Sequence, residues 1–156
     1  MNEHAWMLGL LLAAPALLFI EPGIELLFGK RKGRGLYRQA KKKGLSAVSG
    51  ITWQQFEQLC AGYFRAKGYR VEMCGQGGAD GGRDLILKKS GKRILVQCKH
   101  WRSRVGVTVV REMFGVMHAE RFDQVIIVGT SGFTKDAWSW SKGKSIRLMD
   151  ANSLIT

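Results

Sequence analysis

Hydrophobic and polar positions divide the chain into an apolar N-terminal run and a longer region of short alternating patterns. The run extends over Ala5–Ile20 without a charged residue and resumes shortly afterwards as far as Phe28. A membrane-spanning helix needs about 20 mostly apolar residues, and basic residues such as those that begin at Lys30 are typical of its cytoplasmic end. The pattern therefore predicts a transmembrane anchor within residues 1–29.

The orientation of this anchor follows from the eight basic residues between Lys30 and Lys43. The positive-inside rule places the N-terminus outside and everything after Phe28 in the cytoplasm, with residues 30–50 as a basic juxtamembrane linker. A cleaved signal peptide is the alternative, although Met1-Asn2-Glu3-His4 lacks the positive side chains that precede such a signal. A buried amphipathic helix is disfavoured, because the run has no polar residue every three or four positions.

From residue 51 onwards, helical spacing alternates with strand-like segments, which predicts an α/β domain over residues 51–156. Trp53, Phe56 and Cys60 follow each other at helical intervals, and a short apolar run at 124–129 is typical of a strand buried on both faces. The order α-β-β-β-α-β-α-β implies one sheet flanked by helices. The predicted elements are a helix from Thr52 to Gly68, strands at 69–73, 84–88 and 93–99, a helix at 109–120, a strand at 124–129, a helix that begins at Thr134, and a last strand at 145–149.

Charge and composition narrow the class of partner. The 156 residues include 25 Lys and Arg against 12 Asp and Glu, a net charge of +13, which predicts a polyanionic partner, either nucleic acid or an anionic membrane. The apolar fraction of 46% excludes general disorder. Three scattered cysteines exclude a disulfide framework or a structural zinc site, and the three histidines form no ligand cluster.

Candidate chemistry concentrates around two strands that are expected to form a hairpin through Lys89-Ser-Gly-Lys92. Alternate residues of a strand share a face, so Gln97 and Lys99 point the same way, and hairpin pairing brings Asp84 beside them. Glu57 joins this group if the first helix packs across the same end of the sheet. Carboxylate and carbonyl-type oxygens suit Mg²⁺, and a neighbouring lysine can orient a water or stabilise charge on a phosphate.

The spacing Asp84, twelve residues, Gln97-Cys-Lys99 resembles the PD-(D/E)XK nuclease signature in the Asp…Gln-x-Lys form of Mrr-type restriction endonucleases. The resemblance covers about residues 51–156 and includes the Gly-rich approach to Asp84, Thr130-Ser-Gly-Phe-Thr134, and Leu148-Met-Asp150. It implies a restriction-endonuclease-like core with a central mixed sheet. It also implies a Mg²⁺-dependent DNA endonuclease, for which Mn²⁺ is an alternative ion.

The resemblance also implies roles for single residues. Asp84 would be the metal-binding carboxylate, Lys99 the catalytic lysine, and Glu57 the helix-borne glutamate of the superfamily. Gln97 would replace the usual acidic ligand, which predicts weaker metal binding, and the backbone carbonyl of Cys98 would complete the donor set. Asp80 either reaches the metal through water or holds the glycine loop.

The expected substrate is DNA, and cleavage of both strands favours a homodimer. Two alternatives stay open: a structure-selective nuclease such as a Holliday-junction resolvase, and a non-catalytic DNA-binding module of the same fold. Basic side chains are expected to surround the site and contact phosphates. They are Arg83, Lys88, Lys89, Lys92, Arg93, Arg102 and Arg104.

Overall fold

A computed structural model describes residues 21–74 and 83–156 of the chain. In these two ranges it contains six helices and five strands. The helices are α1 (Glu21–Lys43), α2 (Ser46–Ser49), α3 (Trp53–Ala66), α4 (Val107–Ala119), α5 (Lys135–Ser141) and α6 (Ala151–Ile155). The strands are β1 (Arg70–Met73), β2 (Leu85–Lys89), β3 (Lys92–Lys99), β4 (Gln124–Gly129) and β5 (Ile146–Asp150).

The five strands form one mixed sheet in the order β1-β2-β3-β4-β5. The first three strands pair antiparallel, whereas β3, β4 and β5 pair in parallel. The parallel strands end in one row, in which Lys99 is the partner of Gly129 and Gly129 is the partner of Asp150. We call this row the carboxyl edge. The predicted mixed sheet with flanking helices is confirmed.

The hairpin between β2 and β3 determines what reaches the carboxyl edge. Its turn residues Ser90 and Gly91 have φ angles of 51° and 75°, and positive φ at both central positions is the mark of a type I′ turn. This tight turn sets a register that pairs Leu85 with Val96. Asp84, immediately before β2, therefore emerges at the same end of the sheet as the last residues of β3.

Two apolar layers cover the sheet. Phe56 and Phe64 of α3 pack with Val96 on one face, while Val110 and Met113 of α4 belong to the cluster on the other face. Neighbouring residues of β3 alternate between these layers: Val96 and Cys98 face α3, and Leu95 faces α4. Gln97 therefore shares the face of Leu95, as the sequence predicts.

Helix ends follow local chemistry closely. Thr52, where the predicted helix begins, forms a capping box with Gln55 at the start of α3. Helix α4 begins at Val107, two residues earlier than predicted, because extended Gly106 precedes it as the N-cap. The short helix α6 was not predicted from the sequence. It starts because the Asp150 carboxylate accepts a hydrogen bond from the backbone N–H of Ser153.

The basic stretch after Phe28 differs from the predicted linker. Helix α1 runs through it to Lys43 and packs against α3. The two backbones approach closely at Gly33 and Gly62, where a Cβ atom on Gly62 would meet the Gly33 carbonyl. Beside this crossing, the rings of Tyr37 and Tyr63 meet edge to face with centroids 5.8 Å apart. The many charges hide this contact in the sequence, because only two glycines and a narrow apolar stripe provide it. The stripe consists of Leu36, Tyr37 and Ala40.

Two predicted features fall on residues that the structure does not describe. Most of the predicted anchor lies within residues 1–20, and the glycine loop with Asp80 lies within residues 75–82. Among the helices of the two described ranges, none combines the length and apolar character needed to cross a bilayer.

Candidate active site

Asp84 lies where β2 begins, and its carboxylate occupies the unpaired side of β3. The Asp84 backbone N–H donates to the Val96 carbonyl at 3.1 Å, which is the last backbone hydrogen bond between the two segments. The next N–H on that side belongs to Cys98, and it donates to Oδ2 of Asp84 at 2.5 Å. Gln97 Nε2 donates to the same oxygen at 2.7 Å. The predicted juxtaposition of Asp84 and Gln97 is therefore present.

Gln97 is almost fully buried, with 4% of its surface exposed. Its amide nitrogen is used by Asp84, whereas its Oε1 atom is buried and has no hydrogen-bond donor among the described residues. A buried acceptor without a partner costs about 1–3 kcal/mol, so native proteins seldom leave one unused. The arrangement thus presents an oxygen, next to a carboxylate, that is suited to a cation.

Glu57, on the first turns of α3, faces the same centre. Burial, reinforced by the negative charge of Asp84, raises the pKa of Glu57 to about 7. Burial also raises the pKa of Asp84, against the opposing effects of the Cys98 N–H and the charge of Lys99. Helix α3 thus packs across this end of the sheet, which is the condition under which the sequence places Glu57 in the group. A carboxyl group with a pKa near neutrality can take up and release a proton at physiological pH.

Lys99, the last residue of β3, is held by a loop that carries two hydroxyl groups. Its Nζ atom lies 4.9 Å from the centroid of the Trp101 ring, a cation–π contact. The Trp101 carbonyl accepts hydrogen bonds from Thr130 Oγ1 at 2.8 Å and Ser131 Oγ at 2.6 Å. The Thr130 backbone N–H donates to the carbonyl of Lys99 itself at 3.0 Å.

The sequence pattern assigns no functional role to Trp101. It includes Thr130–Thr134 only as part of the family resemblance. The sequence feature that could have indicated this contact is a pair of hydroxyl residues directly after a buried strand. That signal does not reveal which carbonyl the hydroxyl groups will bind, because Trp101 lies about thirty residues earlier in the chain.

Cys98 and His100, on either side of Lys99, have structural surroundings. A hydrogen bond with Cys60 and burial raise the pKa of the Cys98 thiol well above its usual range, so the thiol stays protonated. The ring of His100 packs against Phe56, and its Nε2 atom lies 3.3 Å from the Val48 carbonyl. At Cys98 the backbone, not the sulfur, therefore faces the candidate site.

The basic residues predicted to surround the site divide into two groups. Four of them, which we call the turn cations, flank the β2–β3 turn, at the opposite end of the hairpin from Asp84. Three of them have other contacts. Lys88 forms an ion pair with Glu72 at 3.4 Å, and Lys89 donates a hydrogen bond to the Lys67 carbonyl. Arg93 lies over the Phe122 ring. The prediction that they surround the site is wrong, because strand register separates them from it. The turn cations are Lys88, Lys89, Lys92 and Arg93.

The remaining three basic residues are nearer to the carboxyl edge. Arg83 precedes Asp84 and forms an ion pair with Glu120 at 3.0 Å. Arg102 and Arg104 are exposed in the loop that follows β3. Contact of these three side chains with DNA phosphates stays a prediction.

Asp84, Gln97 and Lys99 lie within a region of the chain that matches a known protein family. Residues 48–156 match the protein family described as restriction endonuclease, of the Mrr catalytic type. The chain belongs to this family. The resemblance suggested by the Asp…Gln-x-Lys pattern is therefore confirmed.

Two curated relatives of this Mrr-type chain match part of it. The uncharacterized protein y4cE of Sinorhizobium fredii is 32% identical over 102 residues, which are 62% of this chain and 26% of that protein. The type IV methyl-directed restriction enzyme EcoKMrr of Escherichia coli is 30% identical over 88 residues, 55% of this chain and 28% of the enzyme. The matched region thus spans about a quarter of the length of these relatives.

Solved structures share the fold of the Mrr-type domain. The protein of unknown function AF1548 superposes with a TM-score of 0.52 at 15% identity, covering 60% of this chain and 55% of that chain. The DNA modification-dependent restriction endonuclease AspBHI superposes with a TM-score of 0.50 at 15% identity, covering 81% and 34%. At this identity the likeness establishes a restriction-endonuclease-like fold.

The donors at the carboxyl edge of this restriction endonuclease domain fit a hard divalent cation. No three His, Cys, Asp or Glu side chains of the described residues come together as a metal cluster. The oxygens available are the Asp84 carboxylate and the buried Oε1 of the Gln97 amide, whose nitrogen donates to that carboxylate. The Glu57 carboxyl group interacts electrostatically with Asp84. Mg²⁺ prefers oxygen donors and often keeps several waters, so one carboxylate and one amide oxygen suit it. The other predicted donor side chain, Asp80, lies outside the described residues.

Proposed function

We propose that this Mrr-type domain is a Mg²⁺-dependent DNA endonuclease whose active site is the group Asp84, Gln97, Lys99 and Glu57. The observation that carries the proposal is the buried Oε1 of Gln97, which has no donor among the described residues and lies beside the Asp84 carboxylate. Lys99 ends the same strand and affects the pKa of Asp84 through its charge. A cation-binding pair of oxygens next to a lysine is the arrangement that phosphodiester hydrolysis needs.

In this proposal each side chain has a defined task. Asp84 and Gln97 hold the divalent ion, which, when bound, polarises the phosphate and lowers the pKa of a water. Lys99 places its ammonium group where negative charge develops on the phosphate. Glu57, with a pKa of about 7, accepts a proton from the attacking water. The water oxygen bonds to phosphorus, the P–O bond to the leaving oxygen breaks, and that oxygen takes a proton from a solvent water.

The test is plasmid cleavage by the full chain in mild detergent with Mg²⁺, Mn²⁺ or EDTA. Wild type should nick or linearise the plasmid with either ion and be inactive in EDTA. Asp84→Asn and Lys99→Ala should each lower the rate by about a hundred-fold or more. The first removes the carboxylate that holds the metal ion, and the second removes the positive charge at the reacting phosphate. Both variants should keep their thermal stability and most of their DNA affinity.

Each result of this experiment decides something. Cleavage by either variant at the wild-type rate would place the active site elsewhere. A wild type that binds DNA but cuts no DNA with any ion would make the domain a non-catalytic binding module. A four-way junction added as a second substrate identifies a structure-selective nuclease if it is cut in preference to the plasmid.

We further propose that the enzyme is tethered to the membrane through residues 5–28, with the domain in the cytoplasm. The support is the uncharged run Ala5–Ile20 followed by eight basic residues between Lys30 and Lys43. Helix α1, with 23 residues, is about 35 Å long and ends next to α2, whose Val48 contacts His100 at the carboxyl edge. In a tethered enzyme, the first residues of α1 would lie in the bilayer, and residues 29–43, about 22 Å of helix, would separate the bilayer from the domain.

Cell fractionation tests the tether separately from catalysis. The full chain should sediment with membranes and resist carbonate extraction, whereas a variant with Leu12→Glu and Leu17→Glu should be released, because charges at mid-bilayer are costly. Two results would overturn the proposal. One is a wild-type chain in the soluble fraction, and the other is a chain that has lost its first residues and is found outside the cytoplasm.

A further inference from the structure

A cavity of about 500 Å³ opens beyond the ends of β4 and β5, beside the candidate active site but apart from Asp84 and Gln97. In sheets with parallel strands, ligands characteristically bind in the crevice outside the carboxyl ends of the strands. The volume lies within the range of small-molecule sites. The side chains that matter here are those of Leu45, Arg104, Thr130, Lys135, Trp138 and Asn152.

Two exposed cations and a half-exposed aromatic ring line this cavity. Arg104 and Lys135 are exposed, and neither forms an ion pair in the described part of the chain. Trp138 is 45% exposed, although its ring edge meets the buried Phe133 with centroids 5.6 Å apart. Cations next to an exposed aromatic ring are the components of a single-stranded nucleic acid site, in which bases stack and phosphates are neutralised.

The cavity is joined to the proposed active site through one wall. Thr130 lines it, and the backbone N–H of Thr130 donates to the carbonyl of Lys99. Neighbouring strands lie about 4.8 Å apart, so the ends of β3 and β5 are separated by about 10 Å. Successive nucleotides of a duplex strand rise about 3.4 Å, which places the cavity within a few nucleotides of a phosphate at Lys99.

We propose that this cavity is a subsite for an unpaired nucleotide of the DNA strand, adjacent to the phosphate that is cut. The inference rests on the proposed function in that it takes DNA as the substrate. Trp138 stacks on the base, while Arg104 and Lys135 bind the flanking phosphates. Asn152, whose amide offers both a donor and an acceptor, faces the base edge. The domain thus prefers DNA with an unstacked or single-stranded nucleotide near the cut.

Fluorescence anisotropy of the full chain in EDTA tests the subsite without any cleavage. The probes are a labelled oligothymidylate and a duplex of equal length. Trp138→Ala should weaken binding of the single strand by about ten-fold, the order expected for loss of one stacked base, and change duplex binding by less than about two-fold. Trp138→Phe keeps an aromatic face and should restore most of the single-strand affinity.

Matched controls separate stacking and phosphate binding from general effects. Trp53→Ala removes a tryptophan that is equally exposed, 46%, but lies on α3 outside the cavity, and should leave the single-strand preference unchanged. Arg104→Ala should reduce the slope of log K against log salt for single-strand binding by about 0.7. Lys142→Ala, at the C-terminal end of α5, removes a charge at the opposite end of that helix from Lys135 and should not reduce the slope.

Two outcomes would overturn the proposal. One is equal weakening of single-strand and duplex binding in Trp138→Ala, which would make Trp138 a general contact. The other is no weakening of either. Plasmid cleavage is measured separately. If the wild type does not cut DNA but Trp138→Ala still weakens single-strand binding, the subsite is supported and the proposed nuclease activity is not.

Discussion

The side-chain amide of Gln97 donates to Oδ2 of Asp84 across 2.7 Å, at the end of a strand where both groups are largely shielded from water. This bond replaces the repulsion that two neighbouring carboxylates would have at the same place. It also fixes the amide so that its oxygen, rather than its nitrogen, is left without a partner among the described residues. In the proposed metal site, the glutamine therefore avoids the repulsion between two carboxylates, and its oxygen is the atom available to a cation.

Gln97→Glu should exchange this hydrogen bond for two facing carboxylates. We expect the metal-free protein to lose about 2 kcal/mol, the usual contribution of a hydrogen bond to a charged group, and Mg²⁺ to stabilise the variant more than wild type. Thermal unfolding with and without Mg²⁺ measures both effects. Gln124→Glu, at the opposite end of the sheet, is the matched control. An equal Mg²⁺ shift in wild type and Gln97→Glu would argue against Gln97 as a ligand.

The raised pKa of Glu57 predicts a pH-dependent stability. Its ordinary value is 4.5 and its folded value is about 7, so between these pH values the folded chain holds a proton that the unfolded chain releases. The stabilisation from this group is complete below pH 4.5 and is lost as the pH rises through 7. Metal-free Glu57→Gln should therefore gain melting temperature relative to wild type, and gain more at about pH 8 than at about pH 5.

Melting curves at the two pH values check this expectation, with Glu112→Gln on the exposed side of α4 as the control. The control should show the same difference from wild type at both values. If Glu57→Gln behaved in the same pH-independent way, the carboxyl group would not be buried beside Asp84 as described.

The two groups of basic residues should contribute unequally to DNA binding. Replacing Arg102 and Arg104 by alanine should reduce the slope of log K against log salt by up to about 1.8 on duplex DNA, about 0.9 for each phosphate that is no longer neutralised. Replacing Lys88 and Lys92, which belong to the turn cations, removes the same charge far from Asp84 and should change the slope less. Equal changes for the two pairs would indicate that DNA also binds at the hairpin turn.

The close packing of α1 on α3 predicts that Gly62→Ala is destabilising. The new Cβ atom would meet the Gly33 carbonyl, and overpacking of this kind costs about 1–3 kcal/mol. Gly35→Ala in α1 is the control, because nothing lies within 4 Å of its added Cβ atom and alanine favours a helix. Denaturant unfolding should move in opposite directions for the two variants. A neutral Gly62→Ala would mean that α1 is not packed on the domain.

Elements that arise from local chemistry could be predicted from the amino-acid sequence alone. The capping box at Thr52 begins α3, two residues with positive φ make the β2–β3 hairpin, and alternation along β3 separates Gln97 from Cys98. Because register follows from the turn, even the meeting of Asp84 with Gln97 was predictable. These features depend on residues that are close together in the chain or joined by a short turn.

The surroundings of those residues, in contrast, depend on how distant elements pack. The burial of Gln97 Oε1 and the raised pKa of Glu57 both require elements that lie far away in the chain. The loop after Lys99 is fixed by hydroxyl groups that donate to the Trp101 carbonyl. These groups lie about thirty residues later in the chain, at the end of a parallel strand. The basic segment, predicted as a linker, is a helix that packs on α3 through the close approach of Gly33 and Gly62 and through the buried Ala40. Burial and electrostatic fields sum over the whole fold, and no local pattern encodes them.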